Sequence, residues 1–261
     1  MGDRLAEKVA IVVGAGQNPG DTIGNGRAIS ILFAREGARV LLVDCRIDSA
    51  LQTKEMIDRE GGKALAFEAD ITKEADCRAL AERCVEVFGR IDILVNNAAL
   101  FGDLVKKPFW EIPVNEWDKV MAVNLKGPFL CAKAVYPQMK KQGKGKIINV
   151  SSGTFYKGLP NFLHYVVSKG GNVALSRSMA REVGDAGINV NTIAPGYTET
   201  EFLKENPQDP PEVRKMTVGS RCMKRPETPE DLTGTIVFLS SDDSDFITGQ
   251  TILVDGGSAL N

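Results

Sequence analysis

The sequence predicts an α/β fold: one domain over residues 1–261, built as a doubly wound parallel sheet of about seven strands with helices on both faces. Three observations lead there. Short apolar runs alternate with stretches of helical periodicity along the chain. The runs are rich in Val and Ile and mostly apolar on both faces, as strands covered by helices on both sides must be. Nearly every run ends on a glycine or a polar residue, which places those groups on one edge of the sheet.

In order, the strands are VAIVV (9–13), RVLLVD (39–44), ALAFEAD (64–70), IDILVNN (91–97), GKIINVSS (145–152), GINVNTIAPG (187–196) and GQTILVDGG (249–257). A helix is expected from Arg27 to about Glu36, stopped by Gly37, and another from about Glu74 to Phe88, stopped by Gly89. Glycine just past the last periodic residue ends a helix because it accepts the left-handed backbone of the cap. Strand, helix, strand in succession requires crossovers, and crossovers require parallel pairing. The least regular stretch runs from Pro195 to Arg225. It predicts a substrate lid around 197–225, or for its charged residues a plain solvated loop.

Composition narrows the class. With 261 residues, 43% hydrophobic and 25% charged, the chain can bury a sizeable core. A net charge of −2 with interspersed signs gives no basic stripe for nucleic acid. Cys45, Cys77, Cys84, Cys131 and Cys222 are odd in number and contain no CxxC pair, so reduced thiols in a cytosolic protein are expected. With His164 the sole histidine, a histidine-rich metal site is excluded, and no metal is expected. No apolar run approaches a membrane span and no signal segment precedes the first strand, so a cytoplasmic location without membrane contact is expected.

The strand ends carry the chemistry. GAGQNPGDTIGNGRA (14–28) lies between the first strand and the first helix. Glycines there suit a loop that holds phosphates, but QNPGDTI (17–23) separates Gly14 and Gly16 from Gly24, Asn25 and Gly26. Asn18, Pro19, Gly20 and Asp21 read as a turn that bulges outward. Asp44 ends the second strand, where a carboxylate can accept from a ribose diol and repel a 2′-phosphate, favouring NAD over NADP. Arg46 weighs the other way.

HYVVSKG puts Tyr165 and Lys169 four residues apart, on one face of a helix. A free tyrosine, with a pKa of ~10, is a weak base at neutral pH. A nearby ammonium and an oxidised nicotinamide ring would favour its phenolate and make it a proton-exchanging group. Ser152, thirteen residues earlier at a strand end, can hold the reacting oxygen near the phenol.

Taken together, the glycine loop, Asp44, ADIT (69–72), NNAA (96–99), Asn124 in VNLKG, Ser152, Tyr165-x-x-x-Lys169, PGYTET (195–200) and GQTILVDGG resemble the short-chain dehydrogenase/reductase family in its short single-domain branch. The resemblance runs from Ala10 to Gly257 and implies a Rossmann-type fold and metal-free hydride transfer. It implies a catalytic tetrad of Asn124, Ser152, Tyr165 and Lys169, with Tyr165 exchanging the proton, Ser152 orienting the substrate oxygen, Lys169 on the nicotinamide ribose, and Asn124 kinking its helix. It implies cofactor contacts from Gly14, Gly16, Gly24, Asn25 and Gly26, from Asp70 and Ile71 beside adenine, from Asn97 and Ala98, and from Pro195, Gly196, Thr198 and Thr200. Phe101, Phe155, Tyr156 and Tyr197, with Leu100, Leu159 and Phe162, are candidates to line a pocket for an aromatic or cyclic secondary alcohol or its ketone. His164 reads as a structural or solvated residue that could also touch substrate. The resemblance further implies a homotetramer. Alternatives are an NADPH-dependent 3-oxoacyl thioester reductase and a cofactor-binding scaffold or sensor without catalysis.

Overall fold

The computed structural model describes residues 3–17, 23–102, 104–200 and 211–260. All seven expected strands form: β1 Val9–Val13, β2 Arg39–Asp44, β3 Lys63–Glu68, β4 Ile93–Asn96, β5 Gly145–Val150, β6 Ile188–Pro195 and β7 Thr251–Val254. They pair in the order β3-β2-β1-β4-β5-β6-β7, every neighbour parallel.

Strand β1 shows why the sheet is covered twice. Its five residues are all buried. Ala10 and Val12 enter one core with Val40, Ile93, Ile29, Phe33, Leu232 and Ile236. Val9, Ile11 and Val13 point the other way, into a core with Leu80, Cys84, Val135 and Met139. Side-chain period two therefore feeds two layers from one strand, and each fully buried Leu, Ile or Phe contributes about 1.5–3 kcal/mol. The expectation of two covered faces holds in the middle of the sheet and weakens at its edges. Strand β7 is only partly buried throughout, and β3 is partly buried with exposed ends, because each has a neighbour on one side only.

The helices are α1 Asn25–Arg35, α2 Ile47–Arg59, α3 Glu74–Phe88, α4 Val114–Met121, α5 Gly127–Gln142, α6 Gly153–Lys157, α7 Leu163–Val183, α8 Pro211–Ser220 and α9 Pro229–Ser240. Helix α3 has the bounds read from the sequence, and Gly89 caps it with φ 80°. Helix α1 starts two residues before Arg27, at Asn25. A wide π turn, Ala122–Lys126, joins α4 to α5 and carries Asn124. Within the expected lid, 201–210 lie outside the described residues; 211–220 are helical. No helix of the described residues is long and apolar enough to cross a membrane.

The chain order reverses between β1 and β4, so the loops after those two strands part and leave a crevice at their C-terminal ends. The glycine loop sits there. Residues 18–22, and with them the expected turn and Asp21, lie outside the described residues. The base of the insert is closed: Gly24 N donates to Gln17 Oε1 at 2.8 Å, and Gln17 N donates to Ser49 Oγ at 2.7 Å.

Candidate active site

A cleft of about 260 Å³ opens over the C-terminal ends of the central strands. Ser152, Tyr165 and Lys169 line it together with Asn25, Asn97, Phe101, Tyr197 and Thr200. The fold brings these side chains in from separate elements. Ser152 ends β5 and caps α6, its Oγ accepting from Thr154 N at 3.2 Å. Tyr165 and Lys169 stand one turn apart on α7, and the Lys169 ammonium is 5.6 Å from the Tyr165 ring centroid.

Electrostatics in the cleft are set by burial. It pushes the Tyr165 phenol above its ordinary value, while a hydrogen bond with Ser152 opposes the rise. Burial also pulls the Lys169 ammonium down, to about 8. Desolvation is the larger influence on the phenol, which needs positive charge beside it, as an oxidised nicotinamide would bring, to ionise. Lys169 Nζ donates to Val150 O at 2.8 Å, which turns it toward the end of β5.

Asn124 is fully buried on the π turn and does not line the cleft. Its amide pairs with the Leu100 backbone in both directions: Oδ1 accepts from Leu100 N at 2.7 Å and Nδ2 donates to Leu100 O at 3.0 Å. Its own carbonyl accepts from Asn172 Nδ2 at 2.9 Å. The wide turn thus ties the loop after β4 to helix α7, beneath Tyr165 and Lys169.

The residues of the phosphate loop fit a dinucleotide. A Cβ on Gly26 would lie 1.8 Å from Gly14 O, and one on Gly14 would lie 2.7 Å from Ala98 Cα, so the loop, α1 and the loop after β4 touch backbone to backbone. Gly16 N donates to Asp44 Oδ2 at 3.0 Å, and a Cβ on Gly16 would press on Ser49 and Asp44. Gly24 precedes the first turn of α1, whose N-terminus points at the cleft end where Asn25 Oδ1 is buried without a partner. Asn97 Nδ2 donates to Gly14 O at 2.9 Å, and Ala98 N to Val13 O at 2.9 Å. Arg46 Nη2 donates to Gln17 O at 2.8 Å, which holds the guanidinium against the base of the insert.

Other expected residues take different places. Asp70 accepts from Thr72 N and Oγ1, and Ile71 packs into the core, where it fills the space a Cβ on Gly127 would need. Neither lines the cleft described here. Pro195, Gly196 and Thr198 do line it, but the Thr198 hydroxyl donates to Glu227 Oε1 at 2.9 Å and so faces the protein. Phe155 and Tyr156 are not among the lining residues: Gly153, Thr154 and Lys157 of the short α6 face the cleft, while Phe155 packs over Gly170 and stacks edge-on with Tyr156. Phe162 is buried, tilted against Tyr165 and edge-on to Phe101. His164 is fully buried and pairs with Glu116 at 2.9 Å. Sequence reasoning missed Glu116, Arg221 and Glu227; all three are charged residues in polar stretches, and only their burial or pairing distinguishes them. Among the described residues no group of three or more His, Cys, Asp and Glu side chains is arranged to hold a metal ion.

A doubly wound parallel sheet with a serine, a tyrosine and a lysine over the strand ends defines an oxidoreductase of the short-chain type. The chain belongs to the short-chain dehydrogenase/reductase family: residues 21–259 match the family model described as enoyl-(acyl carrier protein) reductase. It is 40% identical over 257 residues to an uncharacterized oxidoreductase of Thermotoga maritima, covering 96% of this chain and 97% of that one. It is 35% identical to a 3-oxoacyl-(acyl-carrier-protein) reductase, FabG, of the same organism, covering 98% of this chain and 100% of that one. The crystal structure of levodione reductase superposes with a TM-score of 0.91 at 30% identity, covering 98% of this chain and 100% of that one.

Proposed function

We propose that the protein is an NAD-dependent dehydrogenase or ketoreductase that interconverts a secondary alcohol, aromatic or cyclic, and its ketone. One observation carries the reading: the buried Tyr165, Ser152 and Lys169 line one cleft at the strand ends. A bound nicotinamide supplies the hydride acceptor or donor. Tyr165 exchanges the proton with the substrate oxygen, and Ser152 holds that oxygen beside the phenol. Lys169 contributes positive charge beside the Tyr165 ring. Asn124 acts through the backbone it fixes. Phe101, Leu159 and Tyr197 give the cleft the apolar wall that a cyclic or aromatic body needs.

Asp44 at the end of β2 supports NAD, since a second negative charge on the ribose would meet its carboxylate. The similarity to a 3-oxoacyl-(acyl-carrier-protein) reductase supports a second reading, reduction of 3-oxoacyl thioesters with NADPH. The exposed apolar groove between α4, α5 and α7, with Leu125, Phe129 and Leu175, supports self-association, for which we propose a homotetramer. The reduced cysteines support a place in the cytoplasm. A fluorescence titration with NADH and, separately, NADPH tests the cofactor. Tighter NADH binding, followed by turnover of a cyclic or aryl secondary alcohol, is expected. Tighter NADPH binding with turnover of a 3-oxoacyl thioester would replace the first reading by the second.

A further inference from the structure

A buried carboxylate and a buried guanidinium stand behind the cleft wall formed by the end of β6. Glu227 is 4% exposed and Arg221 2%. Glu227 Oε1 accepts from Gly196 N at 3.1 Å and from Thr198 Oγ1 at 2.9 Å. Arg221 Nη2 is 3.5 Å from Glu227 Oε2, and the same nitrogen donates to Tyr197 O at 2.7 Å. Arg221 Nη1 donates to Arg225 O at 2.8 Å. The two backbones meet as well: Thr198 and Glu227 form an isolated parallel bridge, and Glu199 N donates to Glu227 O at 2.7 Å.

The grip comes from two sides. A Cβ on Gly196 would lie 2.4 Å from Glu227 Oε2 and 2.8 Å from Asp255 Cβ. Asp255 is itself held, its carboxylate accepting from Gly257, Ser258 and Ala259 N–H. Gly196 has no room for a side chain, and it lines the cleft with Tyr197 and Thr198.

Burying a carboxylate here is costly. Desolvation raises the Glu227 carboxyl to about 7, and Asp255 adds to the rise, against the pull of Thr198, Arg221 and the Gly196 N–H. An apolar side chain would fill the same space without that cost. It would not fix the directions of the Gly196 N–H and the Thr198 hydroxyl.

We propose that Glu227, oriented by Arg221, is a positioning residue that sets the cleft wall at 196–198 against which the nicotinamide end of the dinucleotide is held. The proposal rests on the dinucleotide reading above. Three measurements on the full chain test it: affinity for NADH and NADPH by nicotinamide fluorescence, melting temperature, and deuterium uptake of peptides covering 194–200 without nucleotide. Glu227→Ala removes the acceptor, and Glu227→Gln keeps one. The alanine variant should weaken the preferred nucleotide about tenfold or more and speed uptake at 194–200. The glutamine variant should bind within about threefold of wild type.

A folded Glu227→Ala protein with wild-type affinity would overturn the proposal, and so would a lowered melting temperature with affinity and uptake unchanged. If the alanine variant does not fold, Thr198→Val removes the other half of the same hydrogen bond. Weaker binding with faster uptake supports the role, and wild-type values for both overturn it. Wild-type protein that binds neither nucleotide would remove the dinucleotide reading itself. Uptake at 194–200 would then decide whether Glu227 sets the wall at all.

Discussion

Lys169 Nζ reaches back along β5 and donates to the carbonyl oxygen of Val150 at 2.8 Å, the residue two before Ser152. One helix residue is thereby fixed to the strand end that carries the other half of the site. The contact places an ammonium in a buried setting that pulls it down to about 8.

That burial should be visible in stability. Between about 8 and the ordinary lysine range near 10.5, the unfolded chain holds a proton on Lys169 that the folded protein has released. Stability rises with pH wherever the unfolded state binds more protons. The stability of the wild type relative to Lys169→Met should therefore increase as pH is raised through that window and be flat below it. Chemical denaturation of both proteins from pH 7 to 10 measures this.

Removing the phenol should separate chemistry from binding. Tyr165→Phe deletes the hydroxyl proposed to exchange the proton and leaves the ring that packs on Phe101 and Phe162. Turnover should fall about 10²–10⁴-fold while nucleotide affinity and melting temperature hold. Steady-state kinetics beside a nucleotide titration checks it, and undiminished turnover would take Tyr165 out of the chemistry.

Gly26 should tolerate no side chain. Alanine would put a methyl 1.8 Å from Gly14 O and 2.6 Å from Asn97 Nδ2, and the nearer obstacle is backbone. Opening that contact should cost about 1–3 kcal/mol in stability. Because it would spread the glycine loop from α1, NADH affinity should drop about tenfold or more. Gly61→Ala is a poor control, since Gly61 has φ 78°. Gly234→Ala meets no atom within 4 Å and should leave affinity unchanged.

Glu227 predicts the opposite pH trend from Lys169. Its folded carboxyl is raised from 4.5 to about 7, so between those values the folded protein holds a proton that the unfolded chain has lost. Wild type should lose stability relative to Glu227→Gln as pH rises from about 4.5 to 7, by up to ~3 kcal/mol. Melting curves of both proteins across that range give the sign directly.

What the sequence revealed follows from what is local in it. The seven strands were legible because each buried strand, with helices above and below, must be an unbroken apolar run, as VAIVV and RVLLVD are. The stop of α3 was legible because Gly89 alone accepts the backbone needed there. The orientation of Phe155 and Tyr156 was not, since five residues of α6 hold little more than one turn and no period can be read from them. The Arg221 and Glu227 pair was hidden for another reason. Both lie in a stretch whose composition, RCMKRPE, is that of a solvated loop, and only the return of the chain beneath β6 buries them. The burial that raises the Tyr165 phenol was not legible either, because spacing shows the ammonium four residues away and says nothing about desolvation.

The hydrogen bond from Gly24 N to Gln17 Oε1 closes a ring whose circumference does not enter into the geometry of the glycines. Gly14 and Gly26 meet beside that ring at backbone distance. The two contacts act as a clasp: β1 and α1 are held at a fixed separation by the ends of the segment that joins them.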